Sequence, residues 1–242
     1  VETDTQNRPG PDPARGGQIL VWDAAVRVFH WLLALTILGS WITHELGVRF
    51  MEWHMRLGYL ALGLVVFRIG WGLYGTRHAR FGALLAGPTE VAAYARDWIA
   101  GRIHVRAGHN PLGGWAILAM LTSVTVQAVS GLFNSDDILT SGPWRPAVPG
   151  AFAERMEWLH EANFNLLLGL IALHLAAITA YWLRFRINLV LPMLTGRTAA
   201  AADGAISGQR LWLALGTAIL AALLVLILIS AAPEPDPADL FF

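Results

Sequence analysis

Five long apolar runs dominate this chain, each close to the roughly 20 residues that a helix needs to cross the hydrocarbon core of a bilayer. They lie near Val26 to His44, Trp53 to Tyr74, Leu112 to Phe133, Trp158 to Leu183 and Leu211 to Ala231. A bilayer core solvates no free peptide groups, so the pattern predicts a helix for each run, and no alternating pattern suggests a barrel. The expected fold class is all-α, a transmembrane helical bundle with a four-helix core and a fifth, C-terminal transmembrane helix. The expected organisation is a disordered cytoplasmic tail over 1–18, the core over 19–197, and the fifth span with an external tail over 198–242.

The polar connections set the orientation through their arginines. Arg8, Arg15 and Arg27 precede or open the first run, Arg77, Arg80, Arg96, Arg102 and Arg106 fill the second connection, and Arg184, Arg186, Arg197 and Arg210 follow the fourth run. On the other side Arg49 and Arg56 are balanced by Glu45 and Glu52, and Arg145 and Arg155 face Asp136, Asp137, Glu154 and Glu157. This places the N-terminus inside and, after an odd fifth span, the C-terminus outside. The stretch from Pro88 to Gly101 carries Tyr94, Trp98 and Ile99 among charges, which suits an amphipathic helix on the cytoplasmic surface and equally a plain connecting helix. The fifth run holds no ionisable group and is assigned to lipid contact and packing.

Composition sharpens the picture. The chain is 55% hydrophobic and 14% charged, against the roughly 25% charged residues of a soluble domain. Its formal net charge of zero excludes a basic nucleic-acid footprint. All 17 basic residues are Arg, which together with the Ala- and Gly-rich usage is read as coding bias of a GC-rich bacterium. Without cysteine there are no disulfides, zinc thiolates, iron–sulfur clusters or covalently attached haem, so a metal must be held by His, Met or oxygen. No P-loop, dinucleotide-binding glycine motif or Ser/His/Asp arrangement stands in a suitable context.

Ionisable residues inside spans are costly and usually functional. His160 and His174 are 14 residues apart in the fourth span, which puts them on one face with about 21 Å of rise between them. His30 lies early in the first span and His54 early in the second, which runs the opposite way, so their depths match His174 and His160 respectively. Two facing imidazole pairs, one per leaflet, suit two flat iron porphyrins in a helical bundle. Two axial ligands would leave no open position on either iron, which favours electron transfer. His44 also lies 14 residues from His30, and spacing alone leaves it a rival to His54.

Arg68 repeats the same interval after His54, and Arg27 precedes His30 by three residues. Their planar forks suit haem propionates, while snorkelling to the interface is the competing reading. Gly58, Gly63, Gly70 and Gly72 would admit a porphyrin or simply a neighbouring helix close to the backbone.

The stretches VWDAAVRVFHW, EWHMRLGYLALGLVVFRIGWGLYGTRHARF, GHNPLGGW, SGLF and LHEANFNLLLGLIALH, spread in order over most of residues 20–197, resemble the bacterial cytochrome b561 family, which includes the cytochrome b subunits of nickel–iron hydrogenases. The resemblance implies a four-helix core with two non-covalent haem b groups, each bis-His ligated, by His30 with His174 and His54 with His160. It favours His54 over His44, because a histidine followed four residues later by glycine, here Gly58, is similar to the family's second-helix ligand. The fifth span departs from four-helix members. In GHNP, Asn110 and Pro111 suit an N-cap and first helical position, and His109 is either part of that turn or lines a quinone site.

The function expected is transmembrane electron transfer in the bacterial inner membrane between the quinone pool and a redox partner such as a c-type cytochrome. Asp136 and Asp137 are either a docking patch for a basic cytochrome or a solvated loop. The alternatives are a membrane-anchor subunit of a larger oxidoreductase such as a hydrogenase, and a haem-free transporter or structural anchor.

Overall fold

A computed structural model of the chain describes residues 18–102, 107–135, 140–199 and 204–233. Residues 1–17, Arg106, the Asp136–Asp137 pair and the tail from 234 onward lie outside the described residues.

Five helices are long and apolar enough to cross a membrane. They are α1 (Ala24–Glu45), α2 (Met51–Tyr74), α4 (Pro111–Gly131), α5 (Gly150–Phe185) and α7 (Leu211–Ser230). Two shorter helices, α3 (Pro88–Ile99) and α6 (Val190–Thr195), lie in the connections. The expected spans are recovered, with one clear extension. α5 begins eight residues before Trp158, because Gly150 to Glu157 continues the helix with charged residues beyond the apolar run. Gln18 opens a short strand, β1 (Gln18–Leu20), paired antiparallel with β2 (Arg197–Ala199).

Local chemistry fixes the helix starts. Asp23 caps α1 by accepting from the Val26 N–H at 2.8 Å. Asn110 caps α4 by accepting from the Gly113 N–H at 2.7 Å, with Pro111 at the first position, as the sequence suggests. After α6 the chain reverses through Gly196 at φ 80°, whose carbonyl accepts from both Val21 and Trp22. That turn closes the end of the bundle where α1 begins, here termed the N-side; the opposite end is the far side.

α2 is the most enclosed span. It packs against α1, α4 and α7, while α5 leans on α4. Neither α1 nor α2 makes extensive close backbone contact with α5. Halfway along the bundle these helices meet through side chains instead, where buried Val65, Val124 and Leu167 pack with Leu33, Ile37, Leu121 and Ile171.

Candidate functional site

The spacing on α5 translates directly into geometry. His174 faces His30 of α1 with ring centres 6.5 Å apart, and His160 faces His54 of α2 at 6.3 Å. The first pair sits on the N-side and the second on the far side, with the Val65–Val124–Leu167 layer between them. His44 lies 5.7 Å from His54 but is exposed at the far end of α1.

In the far-side pair the outer nitrogens are engaged. His54 Nδ1 lies 2.8 Å from the Ser40 carbonyl, which can only accept, so Nδ1 carries the proton and Nε2 keeps its lone pair. His160 Nδ1 lies 3.1 Å from the Ser130 hydroxyl, which itself reaches the Gln127 carbonyl at 3.2 Å. Gly131 makes room for this ring: a Cβ there would stand 3.0 Å from His160 Cε1.

The N-side pair lies beside a polar cluster. Arg68 is only 4% exposed, which rules out snorkelling for that side chain, and its guanidinium sits over the Phe81 ring at 5.3 Å. It lies within electrostatic reach of Asp23. The Asp23 carboxylate accepts from Trp71 Nε1 at 3.2 Å and from the Thr76 hydroxyl. His109 packs against the Trp22 ring at 4.4 Å and near Arg68 and His78. Burial, with the charge of Arg68 and the nearness of His78, lowers the pKa of His109 to about 3, so it is neutral at physiological pH. Arg27 donates from Nη1 to the Leu194 carbonyl.

Among the described residues, five buried side-chain polar atoms lack a partner, and four of them lie on residues singled out from the sequence for the N-side: Arg27 Nε, His30 Nδ1, Arg68 Nη1 and His109 Nδ1. Buried polar groups are seldom left unsatisfied, so this concentration points to a polar group bound there. The glycines divide by role. A Cβ at Gly70 or Gly72 would strike Tyr74, Thr217 or Phe81, which makes these packing positions. One at Gly58, a turn beyond His54, would meet nothing within 4 Å.

An iron with two axial imidazoles, each bonded at roughly 2 Å, places the ring centres about 6 Å apart. Both histidine pairs stand at that spacing, and the donor set fits a b-type haem. The sequence matches the family described as prokaryotic cytochrome b561 over residues 21–196.

The chain belongs to the prokaryotic cytochrome b561 family.

As such it is a haem-b-binding, membrane-integral protein of electron transfer. No curated protein and no solved structure matches it. The match ends at residue 196, so α7 lies beyond the part of the chain that defines the cytochrome b561 family.

Three groups in this cytochrome b561 escaped sequence reading. Asp23 was legible only as a residue before a span, and His78, which bonds the Gly204 carbonyl at 2.7 Å, only as one histidine among several. Ser123, Gln127 and Ser130 recur as polar residues on one face of apolar α4, which marks a polar stripe there but not its partners Asn163 and His160 on α5.

Proposed function

We propose that this protein carries electrons across the bacterial inner membrane through two haem b groups, exchanging them with the quinone pool on one side and a redox partner protein, such as a c-type cytochrome, on the other. His30 and His174 hold the N-side haem, and His54 and His160 the far-side haem. His44 stays outside the ligand set, since His54 has its Nδ1 held by a carbonyl and faces α5. When bound, each haem would supply a one-electron iron couple, held by the two histidines of its pair.

The protein's own residues supply the rest. Arg68 and Arg27 offer cationic donors to the propionates of the N-side haem, and His109, neutral and buried beside Arg68, lines the place where a quinone head group meets it. The side chains of Val65, Val124 and Leu167 exclude water between the two levels. The arginine-rich N-side is the cytoplasmic face, with Arg77, Arg80, Arg184 and Arg197 among its cations.

The observation that carries this reading is the pair of ring separations, 6.5 and 6.3 Å, between α5 and two helices, α1 and α2, whose backbones it does not closely approach. Haem quantification on the purified protein and on separate His30→Ala, His54→Ala, His160→Ala and His174→Ala variants tests it. Two haems per chain are expected, with the same haem lost for His30 and His174 and the other for His54 and His160. Retention of both haems in all four variants would overturn it.

A further inference from the structure

Ser123, Gln127 and Ser130 fall four and three residues apart on α4, a polar stripe inside a transmembrane helix. Polar groups at such depth are costly unless they bond to one another. Asn163 of α5, three residues beyond His160, satisfies most of the stripe. Its Nδ2 donates to the Ser123 carbonyl at 2.9 Å and to Gln127 Oε1 at 2.7 Å, while its Oδ1 accepts from the Ser123 hydroxyl at 3.0 Å. These bonds fix the rotation of α4 against α5 where His160 projects.

Ser130 completes the set and is only 1% exposed. Its single hydroxyl proton goes to the Gln127 carbonyl, so its oxygen accepts from His160 Nδ1–H. α4 thus orients His160 through the Ser130 hydroxyl, beside the Gln127 carbonyl that also faces the ring. Among the described residues, His30 Nδ1 of the N-side pair has no such partner.

We propose that Ser130, held in place by the Gln127–Asn163 network, is a positioning residue that lowers the reduction potential of the far-side haem. This rests on the assignment of His54 and His160 as its ligands. A hydrogen bond from the outer nitrogen of a ligating imidazole makes that ring a more electron-rich donor, and an electron-rich donor favours the oxidised iron.

An equilibrium redox titration of the full-length protein, followed by haem absorbance, tests the proposal. The His54→Ala variant identifies which wave belongs to the far-side haem. In Ser130→Ala that wave moves to more positive potential and the N-side wave stays where it was. Both waves unmoved, or both moved equally, overturns the proposal. If Ser130→Ala loses the far-side haem, Ser130→Cys decides, because it keeps the bulk of serine but offers sulfur, a weaker acceptor. A positive shift there supports the proposal and a wild-type potential overturns it. A wild-type protein lacking two haems would instead sink the ligand assignment, and this inference with it.

Discussion

Trp71 Nε1 donates to the Asp23 carboxylate across 3.2 Å, which ties the last turn of α2 to the residue that caps α1. Both side chains are essentially removed from solvent. One carboxylate therefore starts a transmembrane helix, satisfies a buried indole and accepts from Thr76 beyond the end of α2.

Replacing Asp23 with Ala removes the cap, at about 1 kcal/mol, and strands the indole donor, at about 1–3 kcal/mol. A loss of about 2–4 kcal/mol is expected, read as a lower thermal unfolding midpoint in detergent. Asp23→Asn keeps an oxygen for the Val26 N–H and should lose less. Equal loss in the two variants would mean that capping contributes nothing.

The close approach of Gly131 to His160 gives a second expectation. A methyl group at residue 131 would press on Cε1 at 3.0 Å and Nδ1 at 3.4 Å. Relief requires the imidazole to turn, at about 1–3 kcal/mol of overpacking. Gly131→Ala should therefore reduce occupancy of the far-side haem and leave the N-side haem bound. Gly169→Ala is the control, since a Cβ there meets nothing within 4 Å.

The four paired histidines were legible because an ionisable ring in an apolar run stands out, and because 14 residues return a helix to the same face. Helix direction anticipates His30 with His174, whereas preferring His54 to His44 as the partner of His160 took the family resemblance as well. Ser130 could not be anticipated: a serine in a transmembrane helix ordinarily bonds its own backbone, and nothing in the sequence separates that habit from bonding a histidine 30 residues away. Asp23 was hidden for a related reason, since its partners Trp71 and Thr76 lie 48 and 53 residues distant. The β1–β2 ribbon is three residues per strand, too short for an alternating pattern to register.

Arg68 offers a third test. Its Nη1 is buried and unpartnered, and a charge-assisted bond to a carboxylate contributes about 1.5–3 kcal/mol. Arg68→Gln should weaken retention of the N-side haem by roughly 10- to 100-fold. Haem that remains should titrate at a more negative potential, because a cation that favoured the reduced iron is gone. Arg68→Lys keeps the charge without the fork, and should hold the potential better than the affinity. Unchanged haem retention in Arg68→Gln would remove this residue from the propionate-binding set.

His109 gives a prediction about pH. Its folded pKa of about 3 lies below the ordinary value of 6.5, so the unfolded chain binds a proton at this residue that the folded chain refuses. Its contribution to stability is intact above pH 6.5 and falls progressively as pH drops toward 3. Between pH 6.5 and 5 the loss is about 2 kcal/mol, from 1.4 kcal/mol per pH unit. The cause is local: Trp22 covers the ring, and Arg68 and His78 repel a proton on it. His109→Gln cannot take up that proton, so its melting temperature should fall less than that of the wild type between pH 7 and pH 5. The comparison is made as a difference, because the other histidines respond to pH in both proteins alike. Parallel decline in the two proteins would show that residue 109 is protonated as readily in the folded chain as in the unfolded one, and that Trp22 does not seal it.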